Sequence, residues 1–250
     1  MGINREEQFL CNALAEVLAG KEPPHPEKGT DTDRVLELAY AHKVHPLLYE
    51  CSDREEVSAE WRERLKRESW KIVSQNYRLL FLTKYLTSVL EENGIGTAVL
   101  KGVGVAQLYP VPESRKSGDI DLLIPDPAQF EQAVCVLENH GFQKESTQLT
   151  HHHTVFTAPE HFHIELHAML SEPFEQNELN TDIAALLPEY NSHRIHKTIL
   201  GYPICAATDP YDAYYLLLHM LQHFVRAGFG VKLLCDWTVF WKRGLSQDTK

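Results

Sequence analysis

Asp119 and Asp121 stand two residues apart in Gly118-Asp119-Ile120-Asp121-Leu122-Leu123-Ile124, alternating with apolar residues at the start of a short hydrophobic run. In a strand, residues i and i+2 point to the same face with α-carbons about 7 Å apart. The two carboxylates can therefore grip divalent ions jointly while Ile120, Leu122 and Ile124 anchor the strand. Carboxylates converging on hard cations suit phosphoryl transfer, where ions about 3.5–4 Å apart stabilise the attacking and leaving oxygens. A third carboxylate, Glu165, alternates with Ile164 and Leu166 in His163-Ile164-Glu165-Leu166-His167, and a neighbouring strand could bring it against the pair. Upstream, Gly102 and Gly104 follow the apolar segment Thr97-Ala98-Val99-Leu100, and Arg115 lies in the loop before the aspartates. Glycines let backbone approach phosphates closely, and a guanidinium fork matches their oxygens. D-x-D alone is a short motif that recurs by accident, and Asp119 could equally cap a strand end.

Three blocks in order raise the specificity. Leu100-Lys101-Gly102, Arg115-Lys116-Ser117-Gly118-Asp119-Ile120-Asp121-Leu122-Leu123 and Ile164-Glu165-Leu166-His167 together resemble the DNA polymerase beta-like nucleotidyltransferase superfamily, and within it an uncharacterised bacterial nucleotidyltransferase family. The resemblance is strong over about residues 95–170, with a weaker echo at Leu218-His219, His223 and Lys232-Leu233-Leu234-Cys235-Asp236. It implies an α+β fold: a small mixed β-sheet nucleotidyltransferase core with helical N-terminal and C-terminal segments.

The same resemblance implies roles. Asp119, Asp121 and Glu165 would hold Mg2+ or Mn2+, with Glu165 also orienting or deprotonating an acceptor hydroxyl. Lys101, Gly102, Gly104, Arg115 and Gly118 would face the phosphates of a nucleoside triphosphate. The hydroxyl would displace pyrophosphate from the α-phosphorus, the protein contributing mostly positioning and charge stabilisation. The chain departs from the superfamily in one place. Gly102 is followed by Val103, with the next glycine delayed to Gly104, where relatives usually carry Gly-Ser or Gly-Gly. A phosphate-binding hydroxyl is thus absent, and Lys101 is the group that can replace it electrostatically. The alternative reading is a degenerate nucleotidyltransferase fold serving as a nucleotide-binding or interaction module. Three crowded carboxylates speak against it, since an idle fold has no need of them.

Other chemistries fit less well. Fourteen histidines include His151-His152-His153, His161, His163, His167, His219 and His223. The last two share a helix face, a zinc-compatible spacing, but Met220 stands where a zinc-protease helix would need Glu. His163 and His167 flank Glu165 on its own strand face, where one could assist catalysis or bind the acceptor, or both could steady the carboxylate. A glycosyltransferase would want a larger nucleotide-binding half ahead of D-x-D, whereas the first 93 residues are helical in character. Cys11, Cys51, Cys135, Cys205 and Cys235 are odd in number and widely spaced, which predicts reduced thiols.

The positioning elements follow from periodicity. Residues 1–93 form a helical N-terminal region: Phe9, Leu10, Leu14 and Leu18 recur at helical spacing, Lys21–Pro26 is a linker, and a long helix runs over about 58–93 with a Leu79, Leu82, Leu86, Leu90 stripe for the sheet. Residues 94–204 form the core, with strands expected at 142–146, 154–158 and 162–167 beside the D-x-D strand. Its crossover helix opens at Asp126-Pro127, presents Phe130, Val134 and Leu137, and ends at Gly141. Residues 205–250 form a helical C-terminal region, with one helix from Thr208-Asp209-Pro210 to Gly228 and another over 231–241. Relatives carry more helix there, so a short family member and a truncated product both remain open. A net charge of −11 and a pI near 5.7 disfavour a polynucleotide acceptor. A charged N-terminus and the lack of a membrane-length apolar run predict a cytoplasmic protein without membrane attachment.

Overall fold

The computed structural model describes residues 2–145, 153–158, 162–226, 228 and 230–244. Ser146, His151, His152 and His161, which the sequence placed in a strand and in the histidine cluster, lie outside the described residues. In chain order the helices are α1 (Arg5–Leu18), α2 (Thr32–Ala41), α3 (Ala59–Glu92), α4 (Val103–Ala106), α5 (Phe130–Asn139), α6 (Asn177–Ala184), α7 (Leu187–Ser192), α8 (Asp209–Arg226) and α9 (Val231–Val239). The strands are β1 (Ala98–Leu100), β2 (Asp119–Leu123), β3 (Gln143–Lys144), β4 (His153–Thr157), β5 (His163–His167), β6 (Arg194–Ile199) and β7 (Tyr202–Ala207). The fold is thus α+β, a mixed sheet with helical segments before and after it, as the sequence predicts. Among the described residues the five cysteines are free, and no helix is long and apolar enough to cross a membrane.

Contacts divide the chain into two units, interleaved in sequence. The first comprises Met1–Tyr77, Val105–Ser117 and Phe229–Gly244. Its α1 begins at Asn4, whose side chain accepts from the Glu7 N–H while Glu7 accepts from the Asn4 N–H. This capping box satisfies donors that a helix start would leave open. Leu10, Ala13, Leu14 and Leu18 recur on the buried face of α1. Asp31 caps α2 by accepting from the Arg34 N–H, and a 3-10 segment (His45–Asp53) follows. The first part of α3 clamps the loop ahead of Ser117. Asn76 donates to the carbonyls of Glu113 and Arg115, both at 2.7 Å, and Gln75 donates to that of Ser117 at 2.9 Å.

The second unit comprises Arg78–Gly104, Gly118–Gly228 and Leu245–Lys250. Its sheet runs β3-β4-β5-β2-β1-β7-β6, with β2–β5 and β1–β7 parallel and the other neighbours antiparallel. The period-2 alternation of β2 and β5 divides their side chains between two faces. Ile120, Leu122, Ile164 and Leu166 join the leucine stripe of α3 and the Ala133, Val134, Leu137 face of α5 in one buried cluster. Ala98, Leu100, Leu123 and Ala207 pack with α6, α7 and α8 through Ile183, Leu187, Tyr190 and Tyr215. The β6–β7 hairpin and the α6–α7 pair were not expected from the sequence. Leu200 and Gly201 turn the hairpin with φ of +48° and +86°, the left-handed pair whose twist matches the flanking strands. Lys197 of β6 ties α8 to the hairpin, its Nζ 3.0 Å from Asp209 and 2.7 Å from Asp212.

One buried ionisable group in the first unit sets an acid limit. His45 is 3% exposed and stacks on Tyr40 with ring centroids 3.9 Å apart. Burial, assisted by the charge of Lys116, lowers its pKa from 6.5 to about 4. Because the folded value lies below the unfolded one, the neutral ring's contribution is complete above pH 6.5 and is lost as pH falls through 4. Across that window it amounts to about 3 kcal/mol. Urea denaturation at pH 7 and pH 4 should show wild type losing about 3 kcal/mol more than the His45→Phe variant.

Candidate active site

β1 runs into a turn at Lys101-Gly102, where both residues have left-handed backbone angles, φ +31° and +55°. Glycine adopts this conformation freely and lysine seldom does, so the turn holds Lys101 in an uncommon geometry. The turn aims the lysine at β2. Its Nζ lies 3.2 Å from Asp121 Oδ1 and 3.7 Å from Asp119 Oδ2.

The parallel register of β2 and β5 sets Asp121 directly beside Glu165, as the alternation of both segments predicts. Two residues on, His167 places its Nε2 3.2 Å from Asp121 Oδ1 and 3.4 Å from Glu165 Oε2. One ligand atom each from Asp121, Glu165 and His167 falls within 4.8 Å of the others. Asp119 shares the sheet face but is 41% exposed at its side chain, whereas that of Asp121 is fully buried.

The charges explain one another. Burial alone would push the Asp121 carboxyl up, but the Lys101 ammonium and the His167 hydrogen bond hold it below the usual carboxylate range. The His167 hydrogen bond likewise lowers Glu165 against the opposing effect of burial. His167 is raised, because its bonds to the two carboxylates outweigh its burial. Lys101 is raised too, the field of Asp121 overcoming desolvation. The Lys101 ammonium and the hydrogen bonds of His167 thus offset the acids while no metal is bound.

The donor set fits a divalent cation. Asp121 Oδ2 is buried and has no hydrogen-bond partner among the described residues, a costly state for a carboxylate oxygen. Beside it, Asp121, Glu165 and His167 bring one ligand atom each within 4.8 Å of the others, a set suited to Mg2+, Mn2+ or a transition ion. Ligation would require His167 as the neutral ring, so a bound ion would replace its shared proton.

A cleft of about 410 Å³ opens over these groups, walled on the α8 side by Tyr215, His219, Gln222 and His223. This lies in the usual range for small-molecule sites. His219 and His223 meet edge to face at 4.5 Å but are not part of the metal-ligating group. His153 lies opposite His167 in the β4–β5 ladder, and burial lowers its pKa. His163, on the same strand as His167, turns outward to Glu145 at 3.2 Å.

The remaining expected residues fall differently. A side chain added at Gly104 or Gly118 would meet no atom within 4 Å, so protein packing does not demand glycine at either. Arg115 does not stand free to meet phosphates, contrary to the expectation. It is 2% exposed, with Nε 2.7 Å from Asp236 Oδ1, Nη2 2.9 Å from Asp236 Oδ2 and Nη1 2.7 Å from the Ser117 hydroxyl. Tyr109 donates to the same Asp236 Oδ1 at 2.6 Å. Local pattern carries no warning of this pairing, because the partner carboxylate lies 121 residues away. His167 is the group that sequence reasoning placed too modestly. Its signal was present, since i+2 from Glu165 on a strand is the same face.

The sequence profile of a family described as uncharacterised nucleotidyltransferase matches residues 28–249. No curated protein sequence matches significantly. Among solved structures, the chain is similar to an antigenic nucleotidyltransferase-like protein from Paracoccidioides brasiliensis, at 19% identity and a TM-score of 0.40, over 64% of this chain and 74% of that one. It is also similar to the lincosamide antibiotic adenylyltransferase LnuA in its lincomycin-bound form, at 14% identity and a TM-score of 0.39, over 65% of this chain and 96% of that one.

Breaking a buried ion pair on one side strands the other charge at a cost of about 3–5 kcal/mol. Asp236→Ala should therefore lower unfolding free energy by that amount in urea titrations, and Arg115→Ala should also act chiefly on stability.

Proposed function

Because the chain belongs to the uncharacterised nucleotidyltransferase family, we propose that it is a metal-dependent enzyme moving a nucleoside monophosphate from a nucleoside triphosphate to a hydroxyl of a small molecule or protein. The observation that carries this reading is the convergence of Asp121, Glu165 and His167 in a cleft of about 410 Å³, with a second, buried Asp121 oxygen that has no hydrogen-bond partner among the described residues. The order of strand, glycine turn, D-x-D strand and Glu-bearing strand supports placement in the DNA polymerase beta-like superfamily.

Asp121, Glu165 and His167 would hold a divalent cation, with Asp119 beside them on the same sheet face. When bound, such an ion stabilises the charge that develops on the α-phosphate oxygens. The acceptor oxygen forms a bond to the α-phosphorus as the bond from that phosphorus to the bridging oxygen breaks. Pyrophosphate leaves with the electron pair. Glu165 orients the acceptor hydroxyl and takes up its proton for passage to solvent. Lys101 offsets the carboxylates so that a polyanion can approach them. Gly102, by its left-handed angle, and Gly104 and Gly118, by the space they leave, keep backbone beside the strand accessible to phosphates. A net charge of −11 favours a small or proteinaceous acceptor over a polynucleotide.

Isothermal titration with each nucleoside triphosphate, with and without Mg2+, tests the reading. Wild type should bind in a metal-dependent way, and the Asp119→Ala, Asp121→Ala double variant should lose that dependence. Nucleotide affinity equal in both proteins and indifferent to metal would overturn it. In Mn2+ titrations, His167→Ala should weaken ion affinity at least about 10-fold, since it removes a ligand and not merely a ligand's support.

A further inference from the structure

Resting on the nucleotidyl-transfer reading, we propose that Lys101 is a built-in second cation, so that the nucleotide complex contains one divalent ion where two-metal phosphoryl-transfer sites contain two. In those sites shared carboxylates bridge ions about 3.5–4 Å apart. Here the carboxylates available for bridging are Asp119 and Asp121, and the Lys101 ammonium lies against both, at 3.7 and 3.2 Å. The other donors point to a single ion position. Ligand atoms of Asp121, Glu165 and His167 converge within 4.8 Å, and Asp119 is not among them.

The lysine is held where it is by the fold. Its side chain is 13% exposed, and its left-handed backbone angle at the β1 turn is one that a solvent-facing lysine has no reason to adopt. Charge arithmetic agrees. Before the triphosphate adds its own negative charge, Asp119, Asp121 and Glu165 carry three negative charges, which one divalent ion with Lys101 matches. A second divalent ion would stand beside an ammonium in a partly buried site, where repulsion is weakly screened. Lysine suits the task as a compact point charge on a stem long enough to follow the phosphates.

Electron paramagnetic resonance of Mn2+ bound with an α,β-methylene nucleoside triphosphate analogue decides the matter by ion count and spin coupling. Wild type should bind one uncoupled Mn2+ per protein–nucleotide complex. Lys101→Met should bind two, exchange-coupled, with the second ion's affinity raised at least about tenfold, the scale of one local charge pair. Lys101→Arg should keep one. A coupled pair in wild type, or a single ion in a folded Lys101→Met variant, would overturn the inference and leave the enzyme reading intact. Absence of both Mn2+ and nucleotide binding in wild type would overturn the enzyme reading itself. If circular dichroism shows Lys101→Met unfolded, the wild-type and Lys101→Arg counts still decide.

Discussion

A carboxylate taken fully out of water must be answered by positive charge, and the arrangement around Asp121 follows from that requirement. Desolvating an ion costs several kcal/mol even after relaxation, so Asp121 is tolerable only with close cationic partners. The β1 turn delivers Lys101 from one side and β5 delivers His167 from the other. Neither saturates the group, because Oδ2 keeps no partner among the described residues. A site with an ionised, incompletely paired carboxylate at its centre is prepared for a cation from solution.

The sheet makes this possible by spending its two faces differently. One side of β2 and β5 is sealed by the leucines of α3 and the apolar face of α5, which fixes strand register. The alternation that buries Ile120, Leu122, Ile164 and Leu166 therefore obliges Asp119, Asp121, Glu165 and His167 to share the opposite side. A one-residue slip would exchange the two sets, so the hydrophobic core and the polar cluster specify each other. α8 covers part of that second side, tied down by Lys197 between Asp209 and Asp212, and leaves the cleft open beside Tyr215.

Much of this was legible in the chain. D-x-D and Ile-Glu-Leu-His carry period-2 patterns that fix which side chains meet, whatever the rest of the fold does. The Asp126-Pro127 start and the leucine stripe of α3 were equally local. What could not be read depended on distant partners or unusual backbone. Arg115 has the sequence neighbours of a phosphate ligand, yet its guanidinium is satisfied by Asp236, a pairing that local pattern cannot disclose. The β6–β7 hairpin escaped because Leu200 occupies a left-handed turn position that Asn or Asp would have advertised. Lys101 was expected to face phosphates, and only the turn's geometry shows that it bends back into the acids.

The buried Arg115–Asp236 pair also orders events during synthesis. Arg115 leaves the ribosome long before Asp236, and the intervening stretch contains most of the sheet. Until Asp236 is made, the guanidinium lacks the carboxylate that accompanies it into a dry interior, so this pairing closes only with one of the last helices of the chain.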